Sequence, residues 1–141
     1  MQLLKAVQRR CFVESQQSVT PQILVVDDDP INNRILNRML LILGYRSDVA
    51  ASGEQALQLL RANHYDLVFM DCRMPGICGC TATTLLRDPA SQVINRTVPV
   101  IALTADCTDD AKTACIAAGM NDFLIKPIKS EQLSAALSCW L

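Results

Sequence analysis

The chain is short of several things, and each shortage closes a class of function. There is no basic excess: 13 Lys+Arg stand against 14 Asp+Glu in 141 residues, a formal net charge of −1. Proteins that work by gripping nucleic-acid phosphates usually carry such an excess, so no direct nucleic-acid binding is expected. No apolar run reaches the ~18–20 residues that a bilayer-spanning helix needs, so no membrane contact by this segment is expected either. The N-terminus lacks the apolar stretch and small-residue cleavage site of a secretory signal. Histidine is reduced to His64, and the seven cysteines (Cys11, Cys72, Cys78, Cys80, Cys107, Cys115 and Cys139) contain no Cys-x-x-Cys pair. A zinc site wants four ligands at recognisable spacing. The cysteines therefore read as small, buried or half-buried residues of a reducing cytoplasm.

What is present is half apolar, 50% hydrophobic and 19% charged, which excludes a disordered chain and suits one domain with a real core. Residues 1–21 differ from the rest. Lys5, Arg9 and Arg10 face only Glu14 there, and a short stripe of Leu3, Leu4, Val7 and Cys11 fades into Gln, Ser and Pro21. That segment reads as a linker or the tail of a preceding segment, and residues 22–141 as the domain.

From Ile23 onward the chain alternates. Ile23–Val26 reads as a doubly buried strand. Asp29 is the expected cap and Pro30 the first residue of a helix, with Ile31, Ile35, Met39 and Ile42 as its apolar stripe and Gly44 as its stop. A weak strand over 46–50 precedes a helix from Ser52 to Asn63, opened by a Ser52/Gln55 capping box. Further strands are expected over 66–70, 98–103 and 122–125. Helices are expected over 79–87 and 109–118, and a last one capped by Ser130 carries Leu133, Ala136, Leu137 and Trp140. Met39, Leu60 and Met70 are expected in the core, and His64 on the surface. Five strands alternating with five helices predict an α/β domain, a five-stranded parallel sheet with helices on both faces.

The position of the polar residues carries the chemistry. Four strands end in Asp27-Asp28-Asp29, Asp71, Thr104 and Lys126. In an open parallel sheet those ends converge on one edge, where ligands bind. Singly, each has an ordinary reading: a helix cap, a turn aspartate, another cap, a solvated lysine. Together, carboxylates brought that close repel one another unless a cation joins them. All-oxygen ligation selects a hard ion, Mg²⁺ or Mn²⁺. A lysine and a hydroxyl beside it are what a phosphoryl group wants, and a carboxylate is a competent nucleophile toward phosphorus.

The segments ILVVDDDP (23–30), LVFMDCRMPG (67–76), VIALTAD (100–106) and AAGMNDFLIKPI (117–128) closely resemble the receiver domain of two-component signalling proteins, the flavodoxin-like (βα)₅ fold of response regulators. That resemblance implies Asp71 as phosphoacceptor, and Asp27, Asp28, Asp71 and the backbone carbonyl of Arg73 as the Mg²⁺ site. It implies Thr104 and Lys126 as phosphoryl-binding groups, Thr104 and Phe123 as switch residues, and a cis Lys126–Pro127 bond. The sequence departs from the family pattern at Asp29, where asparagine is common. It departs again at Cys78, where aspartate is usual, and at Phe123, often tyrosine.

The wording of the motifs is most similar to the C-terminal receiver of a hybrid sensor histidine kinase, itself part of a phosphorelay. The partners implied are a histidine kinase domain and a histidine phosphotransfer domain docking on the helix near 30–43. Such a domain promotes its own phosphorylation and dephosphorylation rather than turning over substrate. Because the chain ends within the last helix, no DNA-binding domain is expected behind it; the location expected is cytoplasmic, either free or as the cytoplasmic portion of a membrane sensor. A stand-alone response regulator is the alternative. An aspartyl-phosphate hydrolase is disfavoured, because Arg73 stands where its general acid would be.

Overall fold

A computed structural model of the chain describes residues 20–106 and 108–141. The expected stripe at Leu3–Cys11, residues 1–19 of the linker expected over 1–21, and Cys107 lie outside the described residues. Five strands alternate with five helices: β1 Ile23–Val26, α1 Pro30–Ile42, β2 Ser47–Ala50, α2 Gly53–Ala62, β3 Leu67–Asp71, α3 Gly79–Arg87, β4 Val100–Thr104, α4 Asp109–Ala117, β5 Asp122–Ile125 and α5 Ser130–Trp140. The sheet runs β2-β1-β3-β4-β5 and every pairing is parallel. None of the helices described is long and apolar enough to cross a membrane.

The period-2 alternation of the strands divides the core between the two faces of the sheet. Leu24, Val26, Val68, Met70, Val100 and Ala102 pack with Leu57, Leu60, Ala82 and Leu86 on one side. Ile23, Val25, Leu67, Phe69, Ile101 and Leu103 pack with Leu36, Leu40, Leu133 and Leu137 on the other. β1, β3 and β4 are buried along their whole length, which is why they read as unbroken apolar runs.

Helix starts follow local chemistry. The Asp29 side chain accepts from the Ile31 N–H at 2.9 Å, and Ser52 Oγ accepts from the Gln55 N–H at 3.1 Å. Gln55 in turn reaches the N–H of Ala51, at 2.6 Å, one residue earlier than a capping box requires. Gly44 stops α1 at φ +93°, a left-handed position that glycine occupies without Cβ strain.

The structure corrects five expectations. The stripe Ile31, Ile35, Ile42 faces solvent; α1 buries Asn33, Leu36 and Leu40 instead. Met39 is only partly buried, against that core rather than inside it. Ser130 is the first residue of α5 rather than its cap. The capping position falls on Lys129, whose N–H donates to the Gln132 side chain at 3.5 Å. Cys139 is exposed, not buried or half-buried. The strand expected from Val98 begins at Val100 because Pro99 has no N–H for the ladder, though its carbonyl accepts from Val68 at 2.9 Å.

Candidate functional site

Parallel register sets the carboxyl ends of the strands side by side. Val26 pairs with Met70, so Asp27 leaves β1 next to Asp71 at the end of β3. Asp71 pairs with Leu103, one residue before Thr104, and Thr104 pairs with Ile125, one residue before Lys126. A cavity of about 280 Å³ opens there, lined by Asp27, Asp28, Asp29, Asn32, Asp71, Cys72, Arg73, Thr104, Ala105 and Lys126. All the sequence-derived site residues except Phe123 therefore meet at one place.

Asp27, Asp28 and Asp71 each bring a carboxylate oxygen to within 4.8 Å of the others. Asp27 and Asp71 are buried and Asp28 is exposed. Asp29 stands apart from the trio because its carboxylate is committed to capping α1. The Lys126 ammonium donates to Asp27 and to Asp71, each at 3.1 Å, and the Lys126–Pro127 bond is cis. Burial pushes the Asp71 carboxyl up to about 6. Its hydrogen bond from Lys126 pulls the other way, and the Asp27 charge adds to the rise. Burial works to lower the Lys126 ammonium, but its bonds to Asp71 and Asp27 outweigh that and hold it above its ordinary value.

The Thr104 hydroxyl is buried and turned toward the next loop. It accepts from the Asp106 N–H at 2.9 Å and donates to the Asp106 carbonyl at 3.2 Å. The Arg73 N–H donates to Asp71 at 3.3 Å, while its guanidinium lies at the surface 3.6 Å from Asp106. Phe123 sits on β5, half-buried, with the Lys112 ammonium 4.7 Å from its ring centroid. That cation–π contact joins α4 to β5.

One positioning residue escaped the sequence reading. Asn33 is 5% exposed, and its amide donates to the Asp27 carbonyl at 2.7 Å, locking the β1–α1 turn from below. The signal was available: an asparagine at the α1 spacing shared with Leu36 and Leu40, where an apolar residue is expected.

The sequence matches the response regulator receiver domain over residues 23–138. The chain belongs to that family. This receiver is 38% identical over 121 residues to the hybrid signal transduction histidine kinase B of Dictyostelium discoideum, covering 79% of the chain but 6% of the relative. It is 37% identical over 118 residues to the sensor histidine kinase RcsC of Escherichia coli, covering 84% of the chain and 12% of the relative. The chain thus spans a small fraction of these relatives. Among solved structures, the receiver domain of the sensor histidine kinase PA1611 from Pseudomonas aeruginosa superposes with a TM-score of 0.76 at 39% identity. The match covers 86% of this chain and 98% of that one, whose magnesium ion is coordinated in the active-site cleft.

Proposed function

We propose that this receiver takes a phosphoryl group from a phosphohistidine onto Asp71 with the help of Mg²⁺ and relays the change to the surface formed by residues 104–141. The observation that carries this reading is the trio of carboxylates within 4.8 Å of one another, closed on one side by Lys126.

The donor set fits a hard divalent ion: three carboxylates, two of them buried, with the Arg73 carbonyl as the fourth group proposed to hold it. Mn²⁺ satisfies the same all-oxygen set. When bound, the ion supplies positive charge where the phosphoryl oxygens and carboxylates would otherwise repel. The chain's own residues do the rest. An Asp71 oxygen attacks phosphorus, and the electron pair of the breaking P–N bond stays with the donor imidazole. Lys126 stands where a phosphoryl oxygen would need a counter-charge, already hydrogen-bonded to the acceptor.

Phosphorylation adds about 1.5–2 negative charges to this pocket. The Thr104 hydroxyl, held by Asp106 in the loop, turns inward to donate to them, and the loop follows. Phe123 then moves into the space left, which breaks its contact with Lys112 and changes the α4–β5–α5 surface. The two arrangements pre-exist, and the phosphoryl group shifts their populations.

The partner proposed is a histidine kinase domain and, onward, a histidine phosphotransfer domain. Ile31 and Ile35 on α1 are 65% and 53% exposed beside the Asp71 cavity. Ile35 lines an apolar groove of about 340 Å³ with Met39, Leu103, Pro127 and Ile128, and this groove shares Asp27, Asn32 and Lys126 with the Asp71 cavity. An amphipathic helix bearing the donor histidine fits there, with its ring over Asp71. This reading places the chain on the cytoplasmic side of a sensor, as part of a hybrid kinase.

Two measurements test it. Incubation with a ³²P-labelled phosphohistidine donor and Mg²⁺ should label the native chain and leave Asp71→Asn unlabelled; equal label on both removes Asp71 from its role. Beryllofluoride with Mg²⁺ should move the backbone amide signals of 104–125, and a spectrum unmoved there removes the switch.

A further inference from the structure

Cysteine plays no part in the reading above, yet two of the thiols meet beside the phosphoacceptor. Cys72 directly follows Asp71, and its backbone is fixed to β4 by a 3.0 Å bond from its N–H to the Leu103 carbonyl. Cys115 lies on α4, 43 residues away in sequence. The two sulfurs are 3.5 Å apart, with both thiols free. Cys115 is also the one buried residue of α4. Ile116 on the same helix is 64% exposed, and Asp109 and Asp110 face solvent. So the one fully buried side chain of the helix whose movement would carry the signal is a thiol, and its sulfur rests on the neighbour of Asp71.

We propose that Cys72 and Cys115 form a reversible disulfide under peroxide, which ties α4 to the active-site loop and blocks its response to phosphorylation. Cys115 is held by its helix, and Cys72, in the bend after β3, is tied to β4 by its N–H bond to the Leu103 carbonyl. A disulfide needs the sulfurs to close from 3.5 Å to about 2.05 Å.

The chemistry balances with hydrogen peroxide as oxidant. Burial and the Cys115 contact hold the half-buried Cys72 as the thiol, so its proton must leave first. The sulfur then attacks one peroxide oxygen, the O–O bond breaks, and that proton joins the departing hydroxide as water, leaving a sulfenic acid on Cys72. The Cys115 sulfur then attacks the Cys72 sulfur, the S–S bond forms, and the S–O bond breaks to release a second water. Two thiols are oxidised and one peroxide is reduced to two waters; a dithiol reverses the step by exchange. The bond itself is independent of the function proposed above, whereas its effect on signalling rests on that reading.

The test separates the two. The full chain is treated with peroxide, quenched by alkylation at acid pH and digested with trypsin. Cleavage after Arg61 and Arg73 isolates Cys72 in 62–73, while Cys78 and Cys80 fall in 74–87 and Cys115 in 113–129. The expected result is a dithiol-sensitive link between 62–73 and 113–129 within one chain, dominant over every other pair. It should be lost in Cys72→Ser and in Cys115→Ala. Absence of that link overturns the proposal, as does a link from 74–87 to 113–129, since Cys80 also neighbours Cys115.

Amide spectra with beryllofluoride and Mg²⁺ read the consequence. In the reduced chain the signals of α4 move; in the linked chain signals next to Asp71 still move and those of 109–118 do not. Equal movement of α4 in both forms overturns the regulatory effect. A reduced chain that fails to move overturns the function proposed above and leaves the peptide map to decide the bond.

Discussion

Lys126 and Asp71 stand 3.1 Å apart across the ends of β5 and β3, and the same ammonium lies 3.1 Å from Asp27. One cation therefore serves two buried carboxylates, with Asp28 nearby and exposed. The balance is incomplete: Asp71 remains raised to about 6 despite its lysine, because burial outweighs the pairing. A folded state that keeps such a group spends stability on function.

Replacing Asp71 by Asn should therefore stabilise the domain at neutral pH when Mg²⁺ is chelated. The folded carboxyl titrates near 6 and the unfolded one near 3.8. Between those values the folded state holds more protons, so native stability falls as pH rises through the window, and the cost is complete above it. Asn carries no such cost. Discounting for solvent screening, the gain is about 1 kcal/mol at pH 8 and vanishes near pH 4, read by urea denaturation. A gain equal at both pH values would mean the buried charge is not its source.

Asp28 offers a different separation. It is exposed, and among the described residues no helix cap or ion pair depends on it, so Asp28→Asn should leave the metal-free Tm within a degree or so, as surface changes do. Mg²⁺ should raise the Tm of the native chain, because an ion that binds only the folded state stabilises it by mass action. In the variant that rise should shift to Mg²⁺ concentrations higher by more than about 10-fold, the least that losing a ligand-supporting group costs. Identical Mg²⁺ titrations of the two chains would remove Asp28 from the ion site.

How legible this was from the residues depends on what each feature rests on. Asp27, Asp71, Thr104 and Lys126 could be placed together because a parallel sheet sends every strand the same way, so four strand ends define one edge. The face of α1 could not be read from apolarity, since Ile31, Ile35 and Ile42 compete with Leu36 and Leu40 and outnumber them. What decides is Asn33, turned inward by its bond to the Asp27 carbonyl, a tertiary contact invisible to a hydrophobicity pattern. The Cys72–Cys115 contact was hidden for a related reason: nothing local joins residues 43 apart. The α5 start was misplaced by one residue because Lys129, extended at φ −102° and ψ 151°, takes the capping position ahead of Ser130.

Away from the site, Tyr65 is 1% exposed and its hydroxyl donates to Asp48 on β2 at 2.6 Å. Burial first, then the carboxylate beside it, holds this phenol well above its ordinary 10. The protonated form is the one that fits, so the stability it supplies is whole below pH 10 and is lost as pH rises beyond it. Tyr65→Phe should cost about 1 kcal/mol at pH 7, the worth of one hydrogen bond. The gap between the two chains should narrow above pH 10 in thermal melts, with phosphoryl uptake unchanged. A gap that widens in alkali would reverse the assignment.

At the junction of α3 with β3, Gly79 lies against the backbone of Asp71. A Cβ built on Gly79 would lie 2.2 Å from the Asp71 carbonyl oxygen and 3.0 Å from Met70 Cγ. The first of these neighbours is backbone of a fully buried strand and cannot swing aside as a side chain would. Gly79→Ala must therefore push α3 away from β3 or twist the Asp71 peptide, and overpacking of this kind costs about 1–3 kcal/mol. Because the displaced peptide belongs to Asp71, phosphoryl uptake should fall more than the stability loss explains, measured on the folded fraction at low temperature. Gly53→Ala is the matched control. Its added Cβ meets the Ile77 side chain at 2.6 Å and the Ile77 carbonyl at 3.1 Å, and Ile77 does not line the carboxylate cavity, so it should lower the Tm and leave uptake per folded molecule intact. If both variants lose uptake in proportion to stability alone, the α3–β3 contact supports the fold and does not position the acceptor.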